Sequence, residues 1–302
     1  MASNPTCFLE NRGVISVSGE DAAEFLQGLV STDVTRVSES HAIWAAFLTP
    51  QGKFLHEFMI AKTGGHYILD CEKNRRDDLV ARLSRYKLRA KVTIEASEGA
   101  NVAAAWGEGV AENFGLELKA GASMNIEGVL LLVDPRLEDA GIRLIGSRAE
   151  LEPLTEEVGC HQTPSATYAS HRIILGLPDG SQDMEVEKAL LLENGFEELG
   201  GVDFDKGCYI GQELTARTHY RALIKKRLLP VKIEGASPPP GTALTAAGKH
   251  AGEMKSSVSG YGLALVRLGP WQSAEDGVLT AGDSKITPVP PPWMKLPSLS
   301  GA

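Results

Sequence analysis

The alternation of apolar and polar residues predicts a mixture of helices and strands in the first half of the chain. Val14 to Val17 has the pattern of a short strand, and the segment after it repeats apolar residues at helical spacing. Between them, Ser18-Gly19-Glu20-Asp21 resembles a capping box at the start of a helix. The apolar face of this predicted helix consists of Ala22, Phe25, Leu26, Leu29 and Val30.

A hairpin followed by a helix is predicted next. Phe54–Ile60 and His66–Cys71 have the pattern of strands, and Thr63-Gly64-Gly65 between them is a turn sequence. Asn74 is placed to cap the following helix, and Lys91–Ala96 returns as a strand. The inward positions of the helix are Leu79, Leu83 and Tyr86, and further strands are predicted at Val102–Trp106, Val129–Val133 and Ile142–Ile145. The region from about residue 45 to 150 is therefore predicted to be a small α+β domain with an antiparallel sheet.

The pattern changes towards the C-terminus. A helix near Glu185–Glu193 is predicted to stop at Asn194-Gly195. Gly201–Asp205 alternates as a half-buried strand, and Leu214–Arg217 has the pattern of a helical turn. After Lys226, proline and glycine cluster, short strand-like pieces recur and helical periodicity is absent. This pattern predicts a separate all-β module of about 75 residues, such as a small barrel.

Composition is that of an ordinary globular protein. The chain has 302 residues, of which 43% are hydrophobic and 23% charged, so about two domains, or three small ones, are expected. Its four cysteines are widely separated and form no Cys-x-x-Cys pair, which argues against a disulfide framework and for a reducing compartment. The N-terminus lacks the features of a signal peptide, and no apolar run reaches the length of a membrane span. We therefore predict a cytoplasmic protein.

The formal net charge of −9 argues against general nucleic-acid binding, because phosphate contacts require a basic surface. Two local stretches are basic nonetheless. One runs from Arg217 to Arg227 without an acidic residue, and the other runs from Arg82 to Lys91 in the first half of the chain. Such runs are commonly solvated faces. The first follows a cysteine motif, however, and beside a pocket it would attract a small polyanion.

Common nucleotide and metal motifs do not fit this chain. Gly248-Lys249 is followed by His250, where a P-loop requires Ser or Thr. His56-Glu57 begins like a zinc-protease motif, but Ile60 occupies the position of the second histidine. We therefore predict no nucleotide-binding site and no metal site, and leave open whether an iron–sulfur cluster is shared with a partner.

The segment Lys206-Gly207-Cys208-Tyr209-Ile210-Gly211-Gln212-Glu213 carries the candidate chemistry. It places a thiol between glycines, two residues after a lysine and just before a predicted helix. Positive potential from the lysine and from the helix N-terminus favours the thiolate, the nucleophilic form of cysteine. The alternative is that Cys208 is a small buried hydrophobe.

This octapeptide resembles the signature of the YgfZ family, folate-binding relatives of the glycine-cleavage T-protein (aminomethyltransferase) that support iron–sulfur protein maturation. All eight positions fit, and the resemblance covers nearly the whole chain. The other matching segments are Gly19 to Val34, Arg172 to Pro178, Leu192-Glu193, Gly200 to Val202 and Gly262 to Arg267.

The resemblance implies an α+β, GcvT-like three-domain ring. Residues 1–45 and 150–225 would form a discontinuous domain that holds folate and the cysteine motif. Residues 46–149 would form an inserted ferredoxin-like domain, and residues 226–302 a C-terminal β-barrel. A cavity for tetrahydrofolate would lie at the centre.

The resemblance also implies roles for individual residues. Cys208 would be the reactive residue and Lys206 would favour its thiolate, while Gly207 and Gly211 would permit a tight corner. Tyr209 is part of the motif, and Gln212 and Glu213 would order the corner, bind the partner or cap the helix. The predicted folate contacts are Arg172 and Glu193, each of which could instead belong to a structural ion pair, and Arg217 and Arg221 of the basic run. The implied partners are polyglutamylated folate and iron–sulfur assembly or client proteins.

One position departs from the aminomethyltransferases. They carry an Asp-Asp pair before an apolar strand, where this chain has His56-Glu57 before Phe58-Met59-Ile60. Glu57 keeps a carboxylate, but on a side chain that is longer than that of aspartate. Because a misplacement of a catalytic group by ~1 Å can cost ~100-fold in rate, glycine-cleavage activity is not expected. Three functions follow: a folate-dependent factor for assembly or repair of iron–sulfur proteins, a one-carbon transferase or demethylase on another substrate, and a non-catalytic scaffold stabilised by folate.

Overall fold

Residues 3–221, 224–274 and 276–296 are described in a computed structural model of the chain. Residues 222 and 223 of the predicted basic run lie outside them, as do the two ends of the chain. The chain divides into two compact units. The first unit contains residues 1–50, 55–168 and 199–210, and the second contains residues 51–54, 169–198 and 211–302. The three-domain boundaries predicted above stay a prediction.

The first unit contains two sheets. Its strands are β1 (Pro5–Phe8), β2 (Arg12–Ser18), β3 (Ile43–Leu48), β4 (Phe54–Thr63), β5 (His66–Glu72), β6 (Thr93–Ala96), β7 (Asn101–Ala105), β8 (Ser123–Ile126), β9 (Val129–Val133), β10 (Ile142–Gly146) and β11 (His161–Gln162). One sheet has the order β11-β1-β7-β10-β9-β8, and the other has the order β3-β4-β5-β2-β6. Both helices and sheets are therefore present, as the α+β prediction requires.

Helices connect these strands and those of the second unit. They are α1 (Ala22–Gln27), α2 (Arg76–Tyr86), α3 (Val110–Asn113), α4 (Arg148–Glu157), α5 (Ser165–Ile174), α6 (Gly180–Asp183), α7 (Gln212–Tyr220) and α8 (Leu268–Gln272). Short 3-10 turns occur at Val34–Arg36, Lys73–Arg75, Glu138–Ala140 and Leu191–Asn194. No helix in the described part of the chain is both long and apolar enough to cross a membrane.

The predicted hairpin is confirmed. β4 and β5 pair antiparallel, Thr63 lies opposite His66, and the two glycines between them have positive φ angles of 57° and 81°. The sequence pattern did not predict where β2 would pair. It lies between β5 and β6, with Ile15 opposite both Leu69 and Ala96. This strand from the N-terminal segment is thus an interior strand of the five-stranded sheet, next to the edge strand β6.

Two predicted helix starts are wrong. Asp21 is the N-cap of α1 but makes no side-chain cap, because its carboxylate accepts the backbone N–H of Lys91 at 2.8 Å. Helix α2 is preceded by a 3-10 turn, so Arg75 and not Asn74 occupies its N-cap. A capping box begins α4 instead, where Glu150 accepts the Ser147 backbone N–H at 2.8 Å.

The inward face of α2 is partly as predicted. Leu79 and Leu83 are fully buried, whereas Tyr86 is 38% exposed at the last turn. The rings of Tyr86 and Phe47 pack in a T-shaped arrangement, with 6.0 Å between their centroids. Tyr86 therefore packs on one side and faces solvent on the other.

The predicted helix near Glu185–Glu193 is wrong over most of its length. The Phe54 backbone accepts a hydrogen bond from the N–H of Glu187 and donates one to the carbonyl of Ala189. These two bonds hold the segment out of helical geometry, and Glu187 has a φ of +62°. Only the 3-10 turn Leu191–Asn194 forms, and Gly195 ends it in the left-handed conformation, as predicted.

The second unit contains a closed barrel. Its strands are β12 (Lys226–Glu234), β13 (Ala243–Ala246), β14 (Lys249–Val258), β15 (Tyr261–Arg267), β16 (Leu279–Ala281) and β17 (Ser284–Pro288). They close in the order β12-β15-β14-β13-β16-β17, because β12 also pairs with β17. Alternate residues of β12, namely Leu229, Val231 and Ile233, join the buried core. The prediction of a C-terminal barrel is confirmed.

Candidate functional site

The thiol of Cys208 is exposed, unlike the other three thiols of the chain. Cys7 and Cys71 are buried, and burial raises their pKa values to about 11 and about 12. Cys160 is half-buried, and burial raises its pKa to about 11. These three remain protonated at neutral pH, so they are poor nucleophiles. The alternative of a buried, hydrophobic Cys208 is wrong.

Lys206 anchors the segment that carries this thiol. Its ammonium donates to the backbone carbonyls of Gln27 at 2.9 Å, Val30 at 2.5 Å and Thr32 at 2.9 Å. Burial lowers the pKa of Lys206 to about 8, against the attraction of Asp33 and Asp203. The side chain thus binds the turn after α1. The effect predicted for it on the thiol of Cys208 stays a prediction.

Further bonds fix the segment on both sides of the cysteine. The Gln27 amide donates to the Lys206 carbonyl at 3.2 Å, and the Ile210 backbone N–H donates to the Gly28 carbonyl at 3.3 Å. The Lys206 ammonium also lies 5.1 Å from the centre of the buried Tyr209 ring. Cys208 is two residues from each anchor, so its Cα lies within ~7 Å of both. We call residues 206–210 the cysteine loop.

The predicted strand at Gly201–Asp205 is wrong, and a loop takes its place. The Asp203 N–H donates to the Ser31 carbonyl at 2.9 Å, and the Ser31 hydroxyl donates to the Gly201 carbonyl at 2.6 Å. The segment is therefore bound to the turn after α1 and not to a neighbouring strand. The same turn holds the cysteine loop and the residues before it.

The glycines of the motif adopt the left-handed conformation that the tight corner requires. Gly207 has a φ of +89° and Gly211 has a φ of +83°. Gly211 is the N-cap of α7, and no side chain caps this helix. Its carbonyl is also approached closely, since a Cβ on Gly52 would lie 2.6 Å from the Gly211 oxygen. Any residue with a Cβ would be strained at Gly207 and at Gly211, because side chains disfavour these positive φ angles.

The first turn of α7 contains the remaining motif residues. Glu213 is exposed and pairs with Arg217 at 2.8 Å across one helical turn. Gln212 is half-buried at the first helical position. Exposed pairs of this kind contribute little stability, so Glu213 is available to a partner at small cost.

The four predicted folate contacts lie in the second unit and have different environments. Arg172 is buried and donates to Asp183 at 2.7 Å and to the Leu177 carbonyl at 3.1 Å. The structural ion pair considered from the sequence thus describes Arg172, and this geometry disfavours contact with folate. Arg217 is bound to Glu213, as described above. Arg221 is exposed and has no carboxylate partner among residues 3–221, 224–274 and 276–296.

The carboxyl group of Glu193 is less committed than the guanidinium of Arg172, and it suits the predicted contact with the polar ring of folate better. It is half-buried, and burial raises its pKa although Lys226 and Lys53 lie nearby. Its carboxyl group has no hydrogen-bond partner among the described residues. A half-buried carboxyl without a partner is an uncommon arrangement, and such groups often serve ligands.

Glu57, which is compared above with the aminomethyltransferase acidic pair, is committed to packing. It is 2% exposed and accepts hydrogen bonds from the Arg12 guanidinium at 2.6 Å and the Trp44 indole at 2.7 Å. Arg12 also donates to Asp70 at 2.7 Å. The neighbouring His56 bonds Asp78 at 2.9 Å, and burial lowers the His56 pKa to about 4. Both residues therefore have structural partners.

Sequence reasoning missed the rest of this buried ionic group. Arg136 is bonded to Asp134 at 2.8 Å and lies 5.5 Å from the centre of the Trp44 ring. Arg143 donates to the Tyr168 hydroxyl at 2.8 Å. Nothing in the spacing of these arginines distinguishes them from surface residues.

Within the described residues, no group of three or more His, Cys, Asp or Glu side chains could hold a metal ion.

The sequence of the chain is similar to those of several known proteins. Residues 225–296 match the family model described as "CAF17, C-terminal beta-barrel domain". The chain is 34% identical to mouse "Iron-sulfur cluster assembly factor IBA57, mitochondrial", over 88% of this chain and 80% of that protein. It is 33% identical to the human protein of the same name, over 86% and 77%. A homologue from Coccidioides immitis is 31% identical, over 95% and 82%.

A solved structure shows the fold. The glycine cleavage system aminomethyltransferase T from Bartonella henselae superimposes with a TM-score of 0.78, over 97% of this chain and 87% of that chain. The two sequences are 15% identical, so the likeness is one of fold alone. The predicted GcvT-like architecture is confirmed.

Proposed function

We propose, from the premise that the chain belongs to the IBA57 family of iron–sulfur cluster assembly factors, that it acts in the assembly or repair of iron–sulfur proteins. The resemblance seen in the octapeptide is corrected in its branch. The chain is YgfZ-like but lies in the CAF17/IBA57 branch and is not YgfZ itself. The relatives are named mitochondrial, and the cytoplasmic location predicted from this sequence remains a prediction.

The observation that carries the proposal is the presentation of Cys208. The thiol is exposed on a loop whose backbone is fixed by Lys206 and Ile210, while the other thiols are buried or half-buried with raised pKa values. Sulfur ligands and sulfur transfer are what iron–sulfur chemistry requires of a protein. A fixed, open thiol can meet a partner without a change in fold.

Tetrahydrofolate is the proposed cofactor. Glu193 would accept or donate hydrogen bonds at the heterocycle, and Arg221 would pair with the glutamate tail. Arg172 would act indirectly, by holding Asp183 in the same unit. When bound, tetrahydrofolate supplies a carrier for one-carbon groups.

A one-carbon transferase on another substrate is the second candidate, favoured by the aminomethyltransferase-like fold. The buried bonds of Glu57 argue against it, because general acid–base chemistry requires a carboxylate that reaches the reacting atoms. The protein is expected to bind tetrahydrofolate yet fail to replace the T-protein in a reconstituted glycine-cleavage assay. Turnover near that of an authentic T-protein would favour the transferase.

A complementation experiment tests the proposal. Cells lacking the protein are supplied with the wild-type chain, Cys208→Ser or Cys160→Ser, and iron–sulfur enzymes and glycine cleavage are assayed in each. We expect Cys208→Ser to fail for the iron–sulfur enzymes at wild-type protein level, while Cys160→Ser restores them. Full restoration by Cys208→Ser would favour the scaffold, and loss of glycine cleavage alone would favour the transferase.

A further inference from the structure

A groove of about 510 Å³ lies in the first unit between α1 and the end of α2. Its apolar lining includes Phe25 of α1 and Leu29 just after it, and Tyr86 at the end of α2 and Leu88 just after it. Leu88 is 90% exposed, the largest exposed fraction among the large hydrophobic residues of the described chain, and has a left-handed φ of +43°. An exposed leucine in a sparsely populated conformation needs a reason, and such residues often belong to binding sites.

The rim of the groove carries unpaired positive charge. Lys87 and Arg89 line the groove, and Arg85 lies just before them in the chain. All three are exposed, and within the described residues none of them has a carboxylate partner. Cations on either side are paired, with Arg82 on Asp78 at 2.8 Å and Lys91 on Glu20 at 2.6 Å. In a chain of net charge −9, three adjacent unpaired cations around two exposed apolar side chains form a distinct surface. We call residues 85–89 the basic loop.

The groove adjoins the cysteine loop. Gly28, which lines the groove, accepts the hydrogen bond from Ile210, and Gln27 beside it bonds Lys206. Cys208 lies between these two anchors. A molecule seated in the groove would therefore be held close to the exposed thiol.

The lining also limits what the occupant can be. Glu24 and Asp21 line the groove together with Lys87 and Arg89. These carboxylates would repel a continuous polyanion such as a nucleic acid. An apolar side chain between a few carboxylates satisfies the apolar lining and the cationic rim together, and a protein segment would also cover Leu88.

We propose that the groove and the basic loop are the docking surface for an acidic segment of a partner protein, one that presents a bulky apolar side chain flanked by carboxylates. The partner's identity as a protein that exchanges iron–sulfur material at Cys208 rests on the proposed function. The surface itself does not.

Peptide titration tests the surface. The probe is a fluorescein-labelled synthetic peptide in which glutamates flank two leucines and a phenylalanine, and anisotropy reports its binding to the full chain. We expect Lys87→Glu with Arg89→Glu to raise Kd at least about tenfold, and Leu88→Ser about fivefold. Matched controls are Lys73→Glu with Lys119→Glu and Leu118→Ser, which change exposed residues of the same unit and should alter Kd less than about twofold.

Several outcomes would overturn the proposal. Equal binding of a peptide with glutamine in place of every glutamate would remove the role of charge. Equal weakening by the control variants would make the binding nonspecific. A dimer in sedimentation that Lys87→Glu with Arg89→Glu dissociates would assign the surface to a second copy of the chain.

Complementation separates this inference from the proposed function. We expect Lys87→Glu with Arg89→Glu to lower iron–sulfur enzyme activities in the cell at least about fivefold, while the lysine control restores them. If Cys208→Ser fails and the basic-loop variant restores full activity, docking is overturned and the function stands. If Cys208→Ser restores full activity, the function falls and the peptide titration alone decides whether the surface binds acidic segments.

Discussion

The cysteine loop and the surroundings of Glu57 lie in the same unit but differ in how they hold a polar side chain: the thiol of Cys208 is exposed and the carboxylate of Glu57 is buried. Cys208 is exposed, and the hydrogen bonds on either side of it go to backbone carbonyls of residues 27–32, leaving the thiol open. Glu57 is buried, and each of its carboxylate oxygens is bonded, one by Arg12 and the other by Trp44. A thiol that is held but open can react with a partner, whereas a carboxylate with both oxygens engaged serves packing. The chain thus keeps the aminomethyltransferase fold and presents an exposed thiol, and the chemistry of that thiol is what we propose.

The largest effect is expected from breaking the buried side of this comparison. Glu57→Ala removes one acceptor of the Arg12 guanidinium, which keeps its bonds to Asp70, and the carboxylate acceptor of the Trp44 indole. It should lower the free energy of unfolding by about 3–5 kcal/mol. Urea unfolding followed by fluorescence measures it. Glu213→Ala, which breaks an exposed pair, should change stability by less than about 0.5 kcal/mol. A loss below about 1 kcal/mol for Glu57→Ala would show that the carboxylate is free for another role.

A smaller loss is expected when the anchor of the cysteine loop is removed. Lys206→Met takes the donor from three backbone carbonyls and should cost about 1.5–3 kcal/mol at neutral pH. The same variant should alter the thiol, because the loop is no longer fixed to the turn after α1. Hydrogen exchange at residues 27–32 and 206–210 can locate the change. Unchanged stability and exchange would mean that the loop is fixed without the lysine.

Lys206 also gives a pH dependence with a definite sign. Its pKa is about 8 in the folded chain and 10.5 as an ordinary lysine. Between these values the unfolded chain binds more protons, so this residue makes the wild type more stable as pH rises from about 8 to 10.5. The difference in unfolding free energy between wild type and Lys206→Met should therefore grow in that window and stay constant from pH 6 to 7. A difference that shrinks above pH 8 would contradict the assignment.

The open side of the comparison is tested by alkylation. The folded wild type should show one fast-reacting thiol, and Cys208→Ser should lower the initial rate at least about tenfold without changing thermal stability. Cys160→Ser is the matched control and should retain the fast phase. A fast phase that survives in Cys208→Ser would move the reactive thiol elsewhere.

Sequence patterns predicted the features set by local chemistry. The Gly64-Gly65 hairpin and the barrel strands each follow from turn residues or from alternation. The helical turn predicted at Leu214–Arg217 lies within α7. Contacts between distant segments were not visible. The hydrogen bonds of Phe54 prevented a helix near Glu187, and the bonds of Ser31 turned Gly201–Asp205 into a loop. The resemblance predicted the GcvT-like fold but could not show how its residues are bonded.

The thiol of the candidate site could be predicted from the sequence, but the hydrogen bonds that hold the surrounding residues could not. The spacing of the octapeptide singled out Cys208, but nothing in it indicated that the Lys206 ammonium binds three carbonyls near residue 30. Likewise, His56-Glu57 was visible as a departure, while its partner Arg12 lies 45 residues away in sequence. Charged residues that pair across such separations leave no periodic pattern.

The smallest effect is expected at the exposed cations of the second unit, which contrast with the buried Arg172 and Arg227 of that unit. Arg221→Ala with Lys225→Ala should weaken binding of polyglutamyl tetrahydrofolate by about 0.2–1 kcal/mol per residue, a small effect because exposed charges are screened. Binding of the monoglutamyl form should be unaffected, because it lacks the additional glutamates that these cations would contact. Titration calorimetry at low and high ionic strength measures both forms. Lys249→Ala with Lys285→Ala, exposed in the barrel, is the control and should change neither. Equal affinity for the two folates at low salt would make Arg221 and Lys225 part of an ordinary solvated face. Glu193 would then be the remaining candidate for a folate contact in this unit.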